Sequence, residues 1–407
     1  MNETEAARSL LGAAAVRARA HEMFDLALDG QIAEWRVETG RLPQLADTVS
    51  SVIRARYPSL EIPFHARWRH FVLGGRDLWR GIDDRRDWTD GAERARAAFD
   101  LAITSVLLDA GAGMAWRYHD AATGQVSSRS EGLAVASLRM FEAGAFSAGG
   151  DPLRADRLSA LDERTLARGF QVSEQNPMVG LAGRAALLRR LGDQALARPD
   201  LFAIVDEPRP GGLYDAMAAR AIDRRVPAPV ILEVLLEALG PIWSGRIMLG
   251  GVPLGDVWRH PAIRRDDPTD NLLPLHKLSQ WLAYSLIEPL QAAGIEVFDI
   301  DGLTGLAEYR NGGLFMDGGV LVLRDPAMET IPHDVSRPLV SGWRSLTVAL
   351  LDRIAPMVRE RLGLAEADFP LARVLEGGTW AAGRILAAER REDGGPPLRI
   401  ESDGTVF

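Results

Sequence analysis

Apolar residues return at helical spacing along most of this chain, and glycine and proline interrupt them at short intervals. That pattern restricts the fold to packed helices joined by turns. Leu10, Leu11, Ala14, Val16, Phe24, Leu26 and Leu28 predict one long amphipathic helix over residues 5–35. A second helix is expected from Pro43, tolerated in a first turn, to Arg56, where Tyr57-Pro58 stops it. Residues 91–109 read as a helix ending at Gly111-Ala112-Gly113, and residues 114–131 suit a short strand with a turn at Thr123-Gly124. Further helices are expected near 131–144, 153–168, 180–196, 228–239, 274–293, 343–362 and 378–390, and Val320 to Leu323 reads as a strand. The expected fold is mainly α with a few short strands.

At 407 residues the chain exceeds the size at which one core stops growing. The expectation is a mostly helical N-terminal region, 1–200, and a helical C-terminal region with glycine-rich loops, 201–407, with a site formed by both. Residues 199–226, which contain Pro208, Pro210, Gly211 and Gly212, are the best candidate for a turn or linker between them.

A net charge of −9 disfavours non-specific nucleic-acid binding, which needs a dense basic surface. No apolar run is long enough to span a bilayer. Met1 to Ser9 is acidic and polar and lacks the basic and apolar regions of a secretory signal, so a cytoplasmic location is expected. The chain has no cysteine, which excludes disulfides, thiolate chemistry and cysteine-ligated metals. Lys plus Arg is 47, yet Lys277 is the one lysine. A lysine kept among so many arginines is either a chance survivor or a place where a compact, deprotonatable amine is needed.

Four constellations could carry chemistry. His65-Ala66-Arg67-Trp68-Arg69-His70 groups cationic side chains before Gly74-Gly75, a composition suited to phosphate or to ordinary surface ion pairs. Its nitrogen donors match no zinc spacing, and neither a metal site nor a cofactor is expected. On the helix expected over 274–293, His276 shares a face with Gln280 and Lys277 shares one with Trp281. The third group contains Asp299, Asp301, Glu308, Tyr309, Arg310, Asn311, Gly312, Gly313 and Asp317. Its carboxylates among glycines could stabilise a sugar cation and activate water, or serve as helix caps and turn formers. The fourth is Glu376-Gly377-Gly378-Thr379-Trp380 with Arg384, where Thr379 reads as an N-cap or as part of an anion site. The terminal Phe407 is expected to dock. No nucleophile elbow, Walker loop or Rossmann glycine pattern occurs.

Ile62–Phe71, Leu107–Gly113, Arg129–Ser137, Gln171–Gly180, His276–Gln280, Glu308–Gly313, Leu375–Arg384 and Gly394–Phe407 together resemble the URC-type uracil-catabolism protein four family, fungal and bacterial. These blocks cover nearly the whole chain. One departure is Ser341-Gly342-Trp343-Arg344, where the family carries a glutamate before the tryptophan. The resemblance implies a step in uracil breakdown after ring opening of a uridine nucleotide, acting on a ribosylurea or its 5-phosphate. Lys277-Leu278-Ser279-Gln280 followed by Glu308-Tyr309-Arg310 is also similar, more distantly, to the queuosine-salvage nucleotide N-glycosylases. That similarity implies a helical, DNA-glycosylase-like architecture with an N-terminal helical extension. Glu308 stands where those enzymes have aspartate.

The resulting expectation is an N-glycosidase-like hydrolase in pyrimidine degradation. Glu308, with Asp301 as its rival, would be catalytic. His65, Arg67, Arg69, His276, Lys277, Tyr309, Arg310, Glu376, Thr379, Trp380 and Arg384 would bind a phosphorylated nucleoside derivative. Other uracil-catabolism enzymes are possible partners; nucleic acid and membrane are not expected. The alternatives are a C–N hydrolase acting on the opened pyrimidine with the ribose retained, and a non-catalytic binding partner in the pathway.

Overall fold

The computed structural model describes residues 2–203 and 207–401. Phe407 therefore lies outside the described residues. The protein is mainly α. In chain order the principal helices are α1 (Glu3–Ser9), α2 (Ala13–Leu28), α3 (Leu42–Arg56), α4 (Gly91–Leu107), α5 (Arg129–Glu142), α6 (Leu181–Ala197), α7 (Ala228–Leu239), α8 (Lys277–Ala292), α9 (Tyr309–Asp317), α10 (Pro338–Leu362) and α11 (Trp380–Arg390). The described strands are two or three residues long and pair only two at a time. Most of these pairs are antiparallel, such as Trp35–Val37 with Leu321–Leu323; Arg225–Pro227 and Glu296–Phe298 run parallel.

The contacts divide the chain into two compact units, each assembled from separate segments. Of the described residues, unit one comprises 2–65, 245–280 and 299–401; unit two comprises 66–203, 207–244 and 281–298. In unit one α10 packs on α2 and α3, and α9 packs on α10 and α11. Trp343, Leu346, Val348, Leu350, Leu351 and Ile354 of α10 are buried there. In unit two α4 packs on α5 and on the short turn of helix at Pro210–Gly212. Among the described residues no helix is long and apolar enough to cross a membrane.

Many elements lie where the apolar spacing places them, including α3 with its early proline, α7, and the turn between Tyr118–Asp120 and Gln125–Ser127. Three expectations are corrected. The helix expected over 5–35 is two, α1 and α2, because the chain turns at Leu10 and buries it against Leu254, Val257 and Leu272. Gly30, at φ +73°, follows the end of α2. Over 153–168 the α-helix is confined to Glu163–Gly169, capped by Asp162, after a single turn at Leu158–Ala160. Finally, the described residues of 199–226 are not a linker between two units but lie within unit two. Arg209 is buried there, donating to Asp100 at 2.5 Å and to Glu93 at 2.9 and 3.0 Å, while Asp100 accepts from Gly211 N–H at 2.6 Å.

The glycines of that segment serve close approach rather than flexibility. A Cβ on Gly212 would lie 2.0 Å from the Phe202 carbonyl oxygen. Gly212→Ala is therefore expected to cost about 1–3 kcal/mol, because backbone must move to make room. Urea unfolding of the variant checks this; an unchanged midpoint would show that the segment is loosely packed after all.

Candidate active site

Three of the expected site segments meet within unit one. Helix α9 begins at Glu308 because its carboxylate is a strong N-cap: Oε2 accepts from Arg310 N–H and Oε1 from Asn311 N–H, each at 2.6 Å. Burial pushes the Glu308 carboxyl above its ordinary value, and those N–H groups, Lys277 and His65 oppose the shift. Glu308 thus shares an electrostatic environment with both Lys277 and His65. It is at once the helix cap that sequence analysis kept as an alternative and a half-buried carboxyl with a cation nearby.

His65 leads into the second part of the group. Its Nδ1 lies 2.8 Å from Glu376 Oε2, and its ring centroid is 6.2 Å from that of Trp380. Tyr57 O–H donates to the other Glu376 oxygen at 3.3 Å. That contact with the carboxylate fixes the orientation of the imidazole ring. Glu376 lies in a π-helical stretch, Leu375–Thr379, set between Leu371–Val374 and α11. Such bulges widen a helix by one residue and re-aim the side chains on it. Thr379 is consequently neither an N-cap nor beside an open helix N-terminus, because its backbone is helical (φ −63°, ψ −43°) and the helix continues through it. Its Oγ1 is fully buried with no hydrogen-bond partner among the described residues.

Two residues passed over in the sequence hold this group together. Arg344, buried in α10, donates to both oxygens of Asp256 at 2.8 and 2.7 Å, and its Nε reaches the Ala307 carbonyl at 3.1 Å. Asp256 in turn accepts from Lys277 N–H at 2.9 Å and from the Trp258 indole at 2.6 Å. Burial works to raise the Asp256 carboxyl, but Arg344, Trp258 and Lys277 N–H overcome it and hold the group well below the usual carboxylate range. One ion pair therefore positions both the start of α8, which carries Lys277, and the residue before Glu308. A lone aspartate in a strand approach carries no motif; Trp343-Arg344 in a departing motif was the only available signal.

The other expected residues fall as follows. His276 adopts a left-handed backbone, φ +47°, which costs energy in a non-glycine residue. Its Nε2 donates to the Leu10 carbonyl at 3.0 Å, and burial lowers the pKa of the ring, with that hydrogen bond opposing. Gln280 bonds Thr304 at 2.8 Å. Arg310 reaches the Gly394 carbonyl at 2.8 Å and stacks on Tyr309, and Arg384 stacks on Trp380; both guanidinium carbons lie 4.9 Å from the ring centroids. Asp301 is occupied elsewhere in unit one, accepting from Arg359 at 2.5 Å and from Leu371 N–H at 2.6 Å. At Gly342 an added Cβ would lie 3.2 Å from His260 Nε2 and 3.4 Å from Trp35, leaving little space for a side chain.

Arg67 and Arg69 belong to unit two and have separate acidic partners. Arg69 donates to both Glu288 oxygens at 2.8 and 2.6 Å. Arg67 is fully buried, 3.2 Å from Asp109, 2.8 Å from Ser105 Oγ and 5.5 Å from the Trp281 ring centre. Ser130 Oγ donates to the same Asp109 at 2.6 Å. Three of the blocks that carry the family resemblance thus converge on Arg67, Asp109 and Ser130. Among the described residues no group of three or more His, Asp or Glu side chains is arranged to hold a metal ion.

Comparison with known proteins bears on this geometry. A family model described as a protein of unknown function, DUF1688, matches residues 9–407. The chain belongs to the DUF1688 family. This DUF1688 protein is 38% identical over 418 residues to Protein urg3 of Schizosaccharomyces pombe, covering 99% of the chain and 100% of that relative. It is 36% identical over 434 residues to Uracil catabolism protein 4 of Lachancea kluyveri, covering 96% of the chain and 97% of that relative. The URC-type family suggested by the dispersed sequence blocks is thereby the family of this DUF1688 chain.

Proposed function

We propose that this protein acts in uracil catabolism and hydrolyses the N-glycosidic bond of a ribosylurea or its 5-phosphate. The family relationship to a protein named for uracil catabolism supports the pathway. The observation that carries the reaction is the grouping of the half-buried Glu308 carboxyl with Lys277 and with the His65–Glu376 pair. Breaking a glycosidic C–N bond places positive charge on the sugar and negative charge on the departing nitrogen. Glu308 faces the first demand: its carboxylate stabilises the developing cation or takes a proton from the attacking water. His65, oriented by Glu376, meets the second by delivering a proton to the leaving nitrogen. Lys277 supplies a compact charge for a phosphate, and Tyr309 and Trp380 supply flat surfaces for the leaving group.

The test is incubation of purified protein with ribosylurea 5-phosphate, prepared from uridine monophosphate by hydrazinolysis, which removes C4, C5 and C6 of the ring as a pyrazolone. Urea and ribose 5-phosphate should accumulate together in equal amounts. Neither product, or ammonia and carbon dioxide with the ribose still attached to nitrogen, would reject the proposal.

A further inference from the structure

The third residue of α9 has an arrangement that packing does not explain. The Asn311 side chain is fully buried, and neither its amide nitrogen nor its carbonyl oxygen has a hydrogen-bond partner among the described residues. Burying one such group without a partner is unfavourable, and here both polar ends of one carboxamide are left so. The backbone beneath it is fixed. Asn311 N–H donates to Glu308 at 2.6 Å. An added Cβ on Gly312 would meet the Trp343 ring at 2.6 Å, and one on Gly383 would meet the Arg310 carbonyl oxygen at 2.3 Å. The first turn of α9 is therefore held closely on two sides, which fixes the backbone from which the amide projects.

We infer that Asn311 is the substrate-recognition residue for an amide or ureido group, pairing through its two unpartnered atoms with a ligand edge that offers one donor and one acceptor. A carboxamide presents N–H and C=O side by side. A ureido group, –NH–CO–NH2, presents the complementary C=O and N–H on one edge, so the two close a pair of antiparallel hydrogen bonds. A ribose hydroxyl offers a single O–H and would leave one end of Asn311 unsatisfied. A phosphate offers only acceptors and would meet the amide nitrogen alone. The edge required is that of urea, a ureide or a pyrimidine. This inference rests on the proposed site around Glu308. It adds the part of the substrate that is read and the residue that reads it.

The experiment uses the full chain and two probes measured by calorimetry: ribosylurea 5-phosphate, which carries the ureido edge, and ribose 5-phosphate, which does not. Asn311→Leu has nearly the same shape and its side chain gives up no hydrogen bond made among the described residues, so its melting temperature should equal or exceed that of the wild type. Its affinity for ribosylurea 5-phosphate should fall about tenfold, and its affinity for ribose 5-phosphate should not change. Should the leucine variant fail to fold, Asn311→Asp keeps the shape, removes the donor and should show the same selective loss. Equal affinity of variant and wild type for ribosylurea 5-phosphate would overturn the inference and assign the amide to a buried water. An equal loss for both probes, or no binding of the ureido probe by wild type, would overturn it as well. Tight binding that depends on Asn311 without any hydrolysis would instead uphold the inference and reject the glycosidase reading alone.

Discussion

Glu308→Gln should reduce turnover of ribosylurea 5-phosphate by about 10²–10⁴-fold, the range associated with a positioned acid or base. Glutamine keeps the size of the side chain and one carbonyl oxygen, so one of the two capping bonds to Arg310 and Asn311 survives. The loss of the other should cost only about 0.5–2 kcal/mol. The variant is thus expected to stay folded and to lose chemistry far more than stability. The pH profile supplies a second check. Burial raises the Glu308 carboxyl above its ordinary value, with the cap N–H groups, Lys277 and His65 opposing. If the carboxylate is the working form, the acid limb of the rate profile lies above the normal glutamate value and disappears in the glutamine variant. Stability carries the matching sign. A folded state that holds a proton more tightly than the unfolded state loses stability as pH rises from the unfolded to the folded pKa. A variant with normal turnover would reduce Glu308 to a helix cap.

Arg344→Leu should be the most destabilising single change near the site, at about 3–5 kcal/mol at neutral pH. It leaves Asp256 buried without its countercharge, and also frees the Ala307 carbonyl that the Nε holds. The pH dependence should change sign. In the wild type the depressed Asp256 pKa contributes stability that is present above the unfolded value and is lost only as pH falls through the folded one. In the variant, burial outweighs the remaining hydrogen bonds and raises the pKa. Stability should then be greatest in mild acid and fall toward neutral pH. Urea unfolding at the two pH values measures this. A double variant, Asp256→Leu with Arg344→Leu, should recover part of the loss, because two apolar residues leave no buried charge unpaired. Activity should stay low in the double variant, since Lys277 and Glu308 would still lack their common anchor. Full activity there would show that the pair serves stability only.

The mainly α character, the extent of several helices and the family were legible in the amino-acid sequence. Apolar periodicity is local, and proline and glycine act on their own backbone, so α3, α7 and the turn at Thr123-Gly124 follow from short windows of residues. The family was legible because its polar blocks recur in order along the chain. The single lysine was visible by counting, and its company with Glu308 follows once the two segments are folded together.

What failed in the sequence reading failed for one physical reason: long-range packing overrides local composition. The break at Leu10 exists because that side chain is buried against residues some 250 positions away. Residues 199–226 look like a linker until Arg209 finds Asp100 and Glu93. The cationic run at 65–70 reads equally as a phosphate site or as ordinary ion pairs, and only the fold shows which acids lie beside it: Glu376 at His65, Asp109 at Arg67 and Glu288 at Arg69. Asp256 carries no motif, and the place of Arg344 in a departing motif gives no sign of its partner, so the pair becomes visible only in the folded chain. Thr379 and Asn311 are ordinary polar residues in sequence. Only the tertiary structure buries their side chains without partners among the described residues, because whether a polar atom is satisfied depends on every neighbour around it rather than on the residues beside it in the chain.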